Sequence, residues 1–317
     1  MKVYRTLDGI RGVAALCVVL YHAEPALAGM GYLAPDLFFV LSGFVIGHAY
    51  DRKLAGGMHV GEFLRIRLIR FYPLYLIGLG LGIAAFGLMP LALVTGLLFL
   101  PFPEKGSMLF PLNPPSWTLF YELVINLIYG STFRFLTTRR LVVFAGLCAA
   151  GLVACAALRG TISGGWNANV GQVAVALVRV GFSFAIGLLL YRQKHRLPNI
   201  TVPPVVILMA VAGILTRPPA LYVELACVLI VFPLIVHFGA NTEPKRFGGV
   251  FALLGLTSYG VYAIHYPLLA LVHGGGNWTV APFIVGLLAI VYALDRWIDA
   301  PVRRWLLKRC SPVPAPL

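Results

Sequence analysis

The sequence predicts an all-α fold: a polytopic membrane bundle of about ten transmembrane helices, with both termini on the cytoplasmic side. Three observations predict it. The 317 residues are 60% hydrophobic and only 11% charged, whereas a soluble domain carries about 25% charged residues; so few charges cannot cover a water-facing surface of this size. The apolar residues gather into runs near the ~20 residues that cross a hydrocarbon core as a helix. Finally, threading those runs back and forth places 20 of the 25 Lys and Arg residues on one side, the side the positive-inside rule assigns to the cytoplasm.

Breaking the chain at charged, Pro and Gly clusters gives ten runs: 9–29, 32–50, 71–89, 116–134, 141–158, 168–191, 201–216, 219–239, 249–273 and 277–298. Only Arg217-Pro218-Pro219 separates the seventh from the eighth. The stretch 90–101 is apolar but short, and Pro101 and Pro103 follow it, so it reads as an interfacial or re-entrant piece. The loops opposite the basic side hold Lys105, Arg159 and Arg217, while Arg179 and Arg296 fall within runs. The N-terminal apolar stretch holds Asp8, Arg11 and His22 and reads as a retained span rather than a removed signal peptide. No internal repeat, low-complexity segment or soluble domain is visible, so residues 1–317 are expected to form one transmembrane domain.

The net charge of +14 does not mark a nucleic-acid binder, because the basic residues lie in short segments between apolar runs and form no continuous patch. The five cysteines, Cys17, Cys148, Cys155, Cys227 and Cys310, are scattered without a C-x-x-C or Cys/His pair. They read as small hydrophobes, with no disulfide framework and no metal site.

Ionisable groups inside apolar spans are costly and are usually functional or paired. Arg11 and His22 are eleven residues apart, which places them on one helix face roughly 16 Å apart along the axis at 1.5 Å per residue. His22 suits proton transfer near neutral pH, and equally suits a structural bond to a neighbouring helix. Asp36 opens the second run, where it either orients His22 or caps a helix. Ser42-Gly43 reads as a close packing site. Arg67 and Arg70 share a helix face, with Arg65 further round; such arginines fit phosphate oxygens or anionic lipid. Glu122 and Asn126 share a face in the fourth run, with Arg179 as a candidate partner for Glu122. Ser258, Tyr262 and His265 form a polar stripe in the ninth run. Glu224 stands isolated.

These residues resemble the acyltransferase-3 family of membrane O-acyltransferases, which acylate O-antigen, other glycans and macrolides. Four segments carry the resemblance: Leu7-Asp-Gly-Ile-Arg-Gly-Val-Ala-Ala with His22 after it; Asp36-Leu-Phe-Phe-Val-Leu-Ser-Gly-Phe-Val-Ile; Arg67-Leu-Ile-Arg70 before Tyr72-Pro-Leu-Tyr; and Ser258-Tyr-Gly-Val-Tyr-Ala-Ile-His-Tyr-Pro. They occur in the family's order and span nearly the whole chain. The resemblance implies that Arg11 and His22 are the catalytic arginine–histidine pair, and that Arg67 and Arg70 handle the donor. Trp117 and Glu122 look like the family's Trp-x-x-x-x-Glu element.

The expected activity is therefore transfer of an acyl group, with acetyl the expected one, from acyl-CoA to a hydroxyl on a carbohydrate or lipid-linked glycan. Acyl-CoA is a co-substrate and no cofactor is bound permanently. The expected catalytic residues are His22 as general base with Arg11, Asp36 and Glu122. Arg65, Arg67 and Arg70 bind the donor, and Trp117, Ser258, Tyr262 and His265 bind the acceptor. The expected location is the bacterial inner membrane, with the lipid bilayer as a partner. Two alternatives stay open: the same chemistry on a small acceptor at the cytoplasmic face, such as a macrolide, and a transporter or flippase, since ten spans with intramembrane charges are normal there too. Direct transfer and an acyl-enzyme route are both compatible with the sequence.

Overall fold

The computed structural model describes residues 2–273 and 279–310, so positions 277 and 278 of the tenth expected run lie outside the described residues. The described chain is helical, with no strand beyond an isolated bridge between Met108 and Asn167. Its helices are α1 (Arg5–Ala23), α2 (Ala34–Ala55), α3 (Val60–Phe86), α4 (Pro90–Leu97), α5 (Trp117–Thr132), α6 (Thr138–Arg159), α7 (Val170–Gln193) and α8 (Pro204–Leu215). Then α9 (Leu221–Ala226) continues through a π turn into α10 (Phe232–Asn241), α11 (Gly248–His273) follows, and α12 (Val280–Leu294) continues through a second π turn into α13 (Ala300–Cys310).

A helix occupies each of the ten expected positions. Eight are long and apolar enough to cross a membrane, whereas α5 has 16 residues and α8 has 12, short of the ~20 a crossing needs. The stretch after residue 89 forms the short α4, as its length and flanking prolines require.

Several boundaries moved, each for a local reason. Helix α1 ends at Ala23, not near residue 29, because the residue before Pro25 is pushed out of the helical region; Glu24 has φ −150° and ψ 86°. His22 therefore sits in the last turn of α1. Helix α3 begins at Val60, eleven residues before the expected start, so all three arginines of the cluster are helical and Pro73 lies inside the helix. Thr137 caps α6 by accepting from the Arg140 N–H at 3.3 Å, and Gly160 ends it in the left-handed conformation at φ +67°.

The contacts between helices fix their directions. Pairing Asp8 with Gly255 and His22 with His265 keeps a near-constant offset along α1 and α11, so the two run parallel. The same holds for α2 and α7, which meet at Val40–Gly187, Gly43–Phe184 and Asp51–Arg192. By contrast α5 runs antiparallel to α3, through Glu122–Arg67 and Gly130–Phe63. Each direction agrees with ten alternating elements, and the shorter α5 and α8 keep their places in that alternation; Met30 bonds Leu215 where α8 ends beside the end of α1.

In a bilayer, helices associate by close packing rather than by hiding from water, which favours small residues at crossings. A Cβ at Gly43 would lie 2.1 Å from the Phe184 carbonyl oxygen, and one at Gly187 would lie 2.0 Å from that of Val40. These two glycines let the α2 and α7 backbones touch. That crossing and the broad face between α1 and α11 are the main seams of the bundle, whose interior lies between α1, α2, α3, α5 and α11.

Candidate active site

That interior contains a cavity of about 250 Å³. Arg11 enters it from α1, Phe38 and Ser42 from α2, Arg67 and Arg70 from α3, Thr118 and Glu122 from α5, and Ser258, Tyr259 and Tyr262 from α11. Glu122 accepts from Arg67 Nη2 at 2.6 Å and from Ser42 Oγ at 2.8 Å. The Arg67 guanidinium also lies over the Phe71 ring, 5.0 Å from its centroid. Arg70 makes no salt bridge among the described residues. Three guanidinium groups thus face one carboxylate across the cavity, leaving positive charge for an anionic ligand.

A second cavity of about 260 Å³ adjoins the first and shares Arg11, Arg70 and Tyr259 with it. Its other polar residues are Asp8, Asp295, Asp299 and Arg303. Asp8 binds Arg11 at 3.0 Å, and Arg303 reaches Asp295 at 3.2 Å and Asp299 at 2.8 Å. Arg70 and Arg11 therefore form part of the wall between a cationic chamber and a charge-compensated one.

Tyr262 and Phe38 both line the arginine-lined cavity, in edge contact at 5.6 Å between centroids. The Tyr262 hydroxyl donates to the Pro115 carbonyl at 3.0 Å and accepts from Thr118 Oγ1 at 2.7 Å. Neither His22 nor His265 lines this cavity. The His265 ring lies 5.9 Å from that of Tyr262, one ring further along α11. His265 is fully buried, with Nδ1 2.9 Å from the Tyr262 carbonyl and 3.1 Å from that of Val261. Its Nε2 lies 3.1 Å from His22 Nδ1, which is also 3.0 Å from the Val18 carbonyl. Tyr21 and Tyr266 meet the His22 ring edge-on at 5.1 and 5.2 Å.

The structure gives Asp36 and Glu122 partners other than those the sequence named. Asp36 is buried and bound to Arg179 through two oxygens, with Nε to Oδ1 at 3.0 Å. It does not touch His22. Arg179 also donates to the Gly164 carbonyl at 3.0 Å and the Tyr32 carbonyl at 3.3 Å, so it ties α2 and α7 to two loops. A bidentate pair in low dielectric satisfies both charges at once, which is why Arg179 belongs to Asp36 and not to Glu122. Removing one partner strands the other charge. Arg179→Ala is accordingly expected to destabilise the folded protein by about 3–5 kcal/mol, read as a lower thermal midpoint in detergent. A midpoint unchanged from wild type would show the pair to be dispensable.

Other expected positions diverge in the same way. Arg65 is exposed and lines neither cavity, because the α3 face bearing Arg67 and Arg70 turns it outward. Trp117 is buried in a cluster with Tyr121, close to Gly165, and lines no part of the arginine cavity. Ser258 and Tyr262 do line it, while His265 packs on His22 instead of facing the cavity. Glu224 is not isolated: it is buried beside Tyr32. Sequence reasoning missed the chemical setting of Ser42, treated as packing alone. Gly43 supplies the packing, and Ser42, one residue before it, turns to Glu122. Thr118, one position after Trp117 and four before Glu122, was open to discovery by helical spacing.

A family model described as an acyltransferase domain, acyltransferase-3, matches residues 4–307. "Protein 2 in picA locus" of Rhizobium radiobacter is 42% identical over 179 residues, covering 48% of this chain and 93% of that protein. Acyltransferase MdmB of Streptomyces mycarofaciens is 24% identical over 316 residues, covering 84% of this chain and 79% of its own. Exopolysaccharide production protein ExoZ of Rhizobium meliloti strain 1021 is 28% identical over 149 residues, covering 43% of this chain and 46% of its own. No solved structure matches the chain.

Proposed function

Because the chain belongs to the acyltransferase-3 family, and is thus a multi-pass membrane acyltransferase for groups other than aminoacyl, we propose that it carries an acyl group, in the simplest case acetyl, from acyl-CoA to a hydroxyl of a carbohydrate or lipid-linked glycan. Acyl transfer chemistry removes transport as the primary reading. The name of ExoZ, an exopolysaccharide production protein, favours a carbohydrate acceptor.

One observation carries the donor assignment. A single helix, α11, takes Ser258 and Tyr262 into the arginine-lined cavity and His265 onto His22. A phosphorylated donor held by Arg67, Arg70 and Arg11 would lie along that helix with its thioester directed at the histidines. Arg67 and Arg70 belong to a basic segment that charge bias assigns to the cytoplasm, where acyl-CoA is found, and this supports a location in a bacterial inner membrane. Arg11 sits with the donor-facing residues and is bound to Asp8, so its part is to hold donor phosphate.

His22 serves as the general base. The acceptor oxygen attacks the thioester carbonyl carbon while the imidazole takes its proton. The tetrahedral adduct then collapses, the C–S bond breaks, and the imidazolium returns the proton to the departing thiolate. Ester and free thiol leave, and the imidazole is regenerated. Since neither histidine lines the cavity, and the Tyr262 ring that lines it lies 5.9 Å from the His265 ring, the thioester reaches His22 when the Tyr262 and Phe38 rings part.

The test uses purified protein in lipid nanodiscs, acetyl-CoA carrying a radiolabelled acetyl group, and an oligosaccharide acceptor. Label is expected in the acceptor with one free thiol released per ester formed. Absence of both, from protein that binds donor, would contradict the proposal. Label moved only to small lipophilic alcohols would change the acceptor class.

A further inference from the structure

Resting on the reading of His22 as base, we propose that His265 is a positioning residue that holds His22 in the tautomer with a proton on Nδ1 and a free lone pair on Nε2. The argument is one of hydrogen-bond accounting. His265 Nδ1 lies between two main-chain carbonyls, those of Val261 at 3.1 Å and Tyr262 at 2.9 Å. Carbonyls only accept, so this nitrogen carries the proton. In a neutral imidazole the other nitrogen is then an acceptor, and His265 Nε2 presents its lone pair to His22.

His22 Nδ1 faces that lone pair at 3.1 Å and the Val18 carbonyl at 3.0 Å. Both neighbours accept, so Nδ1 of His22 is the protonated nitrogen and Nε2 is left basic. The order is directional: carbonyls of α11 fix His265, and His265 fixes His22. A histidine at 265 with the opposite tautomer would donate to His22 Nδ1 and move the proton to Nε2, blocking the base. The same arrangement serves the second half of the reaction, because His265 Nε2 accepts from Nδ1 of the imidazolium when His22 has taken the hydroxyl proton. His265 thus does with a neutral ring what a carboxylate does in other base–orienter pairs. Complete burial of His265 keeps water from competing for its bonds. The residue is held by geometry rather than charge, in agreement with the commitment of Asp36 to Arg179.

Two variants and one spectrum test it. His265→Leu removes the acceptor, and is expected to lower kcat by about 10- to 100-fold, the usual cost of losing an orienting partner, with donor KM unchanged. His265→Gln offers an amide oxygen in place of Nε2 and is expected to restore kcat to within about threefold of wild type. ¹⁵N NMR of histidine-labelled protein, with signals assigned through His22→Gln, should show His22 with protonated Nδ1 and unprotonated Nε2 in wild type and in His265→Gln. A His22 protonated on Nε2, or a folded His265→Leu protein of full kcat, overturns the proposal. The spectrum does not depend on turnover, so it separates failure of this inference from failure of the base assignment, which full activity of His22→Ala would reveal.

Discussion

His22→Ala is expected to lower the rate of acyl transfer by about 10²–10⁴-fold, the range that a positioned general base contributes, while acyl-CoA binding stays as in wild type. The separation follows from the layout. His22 lines no part of the arginine cavity, so removing its ring leaves the donor-facing side chains in place. The loss should appear in kcat and not in donor KM. Folding is a lesser concern than at Asp36, since the bonds lost are one to a main-chain carbonyl and one to another neutral ring. Steady-state kinetics with a soluble acceptor read the outcome directly. A variant within about threefold of wild type would remove His22 from the chemistry.

The second large effect belongs to Arg70. A charge-assisted hydrogen bond contributes about 1.5–3 kcal/mol, so Arg70→Ala is expected to raise donor KM by about 10- to 100-fold with little change in kcat. Arg70 is the cleanest of the three arginines to test because it has no salt-bridge partner among the described residues, and its removal strands no buried carboxylate. Arg67 differs. Its 2.6 Å bond to Glu122 means that Arg67→Ala would mix lost donor binding with an unpaired buried charge. Arg67→Lys keeps the charge opposite Glu122 but loses the planar fork, and is expected to weaken donor binding without unfolding the protein. A donor titration by calorimetry gives both constants. An unchanged donor affinity in Arg70→Ala would place the phosphates elsewhere, the adjoining cavity around Arg303 being the next candidate.

The helical segments were legible because membrane crossing imposes length and composition on each of them, and the alternation of basic loops added direction. Boundaries were less so. The apolar run containing His22 continues to residue 29, whereas the helix ends at Ala23, two residues before Pro25. The site was legible as a set of residue types: Arg11, Arg67, Arg70, Glu122, Ser258 and Tyr262 do share one cavity. Pairings were not legible, because a sequence does not state which helices touch. Asp36, Glu122 and Arg179 allowed more than one ion pair until α2 and α7 were seen in parallel contact, which leaves Asp36 to Arg179. The approach of His265 to His22 depends on a register between α1 and α11, set by residues such as Gly255 against Asp8, across more than two hundred positions of chain. The i, i+4, i+7 stripe in α11 named three side chains, and only the neighbouring helix shows that two of them line the cavity while the third packs on His22.

The central claim is that the arginine-lined cavity and the histidine pair form one reaction path. It is tested most directly by a cryo-EM structure of the protein in nanodiscs with a non-transferable acyl-CoA analogue in which a ketone replaces the thioester. The account predicts phosphates against Arg70, Arg67 and Arg11, the Phe38 and Tyr262 rings parted, and the ketone carbon about 6 Å from His22 Nε2, the gap one attacking hydroxyl fills. A fully ordered analogue whose ketone stays on the arginine side of a closed Phe38–Tyr262 contact, or that enters by another route, would contradict it.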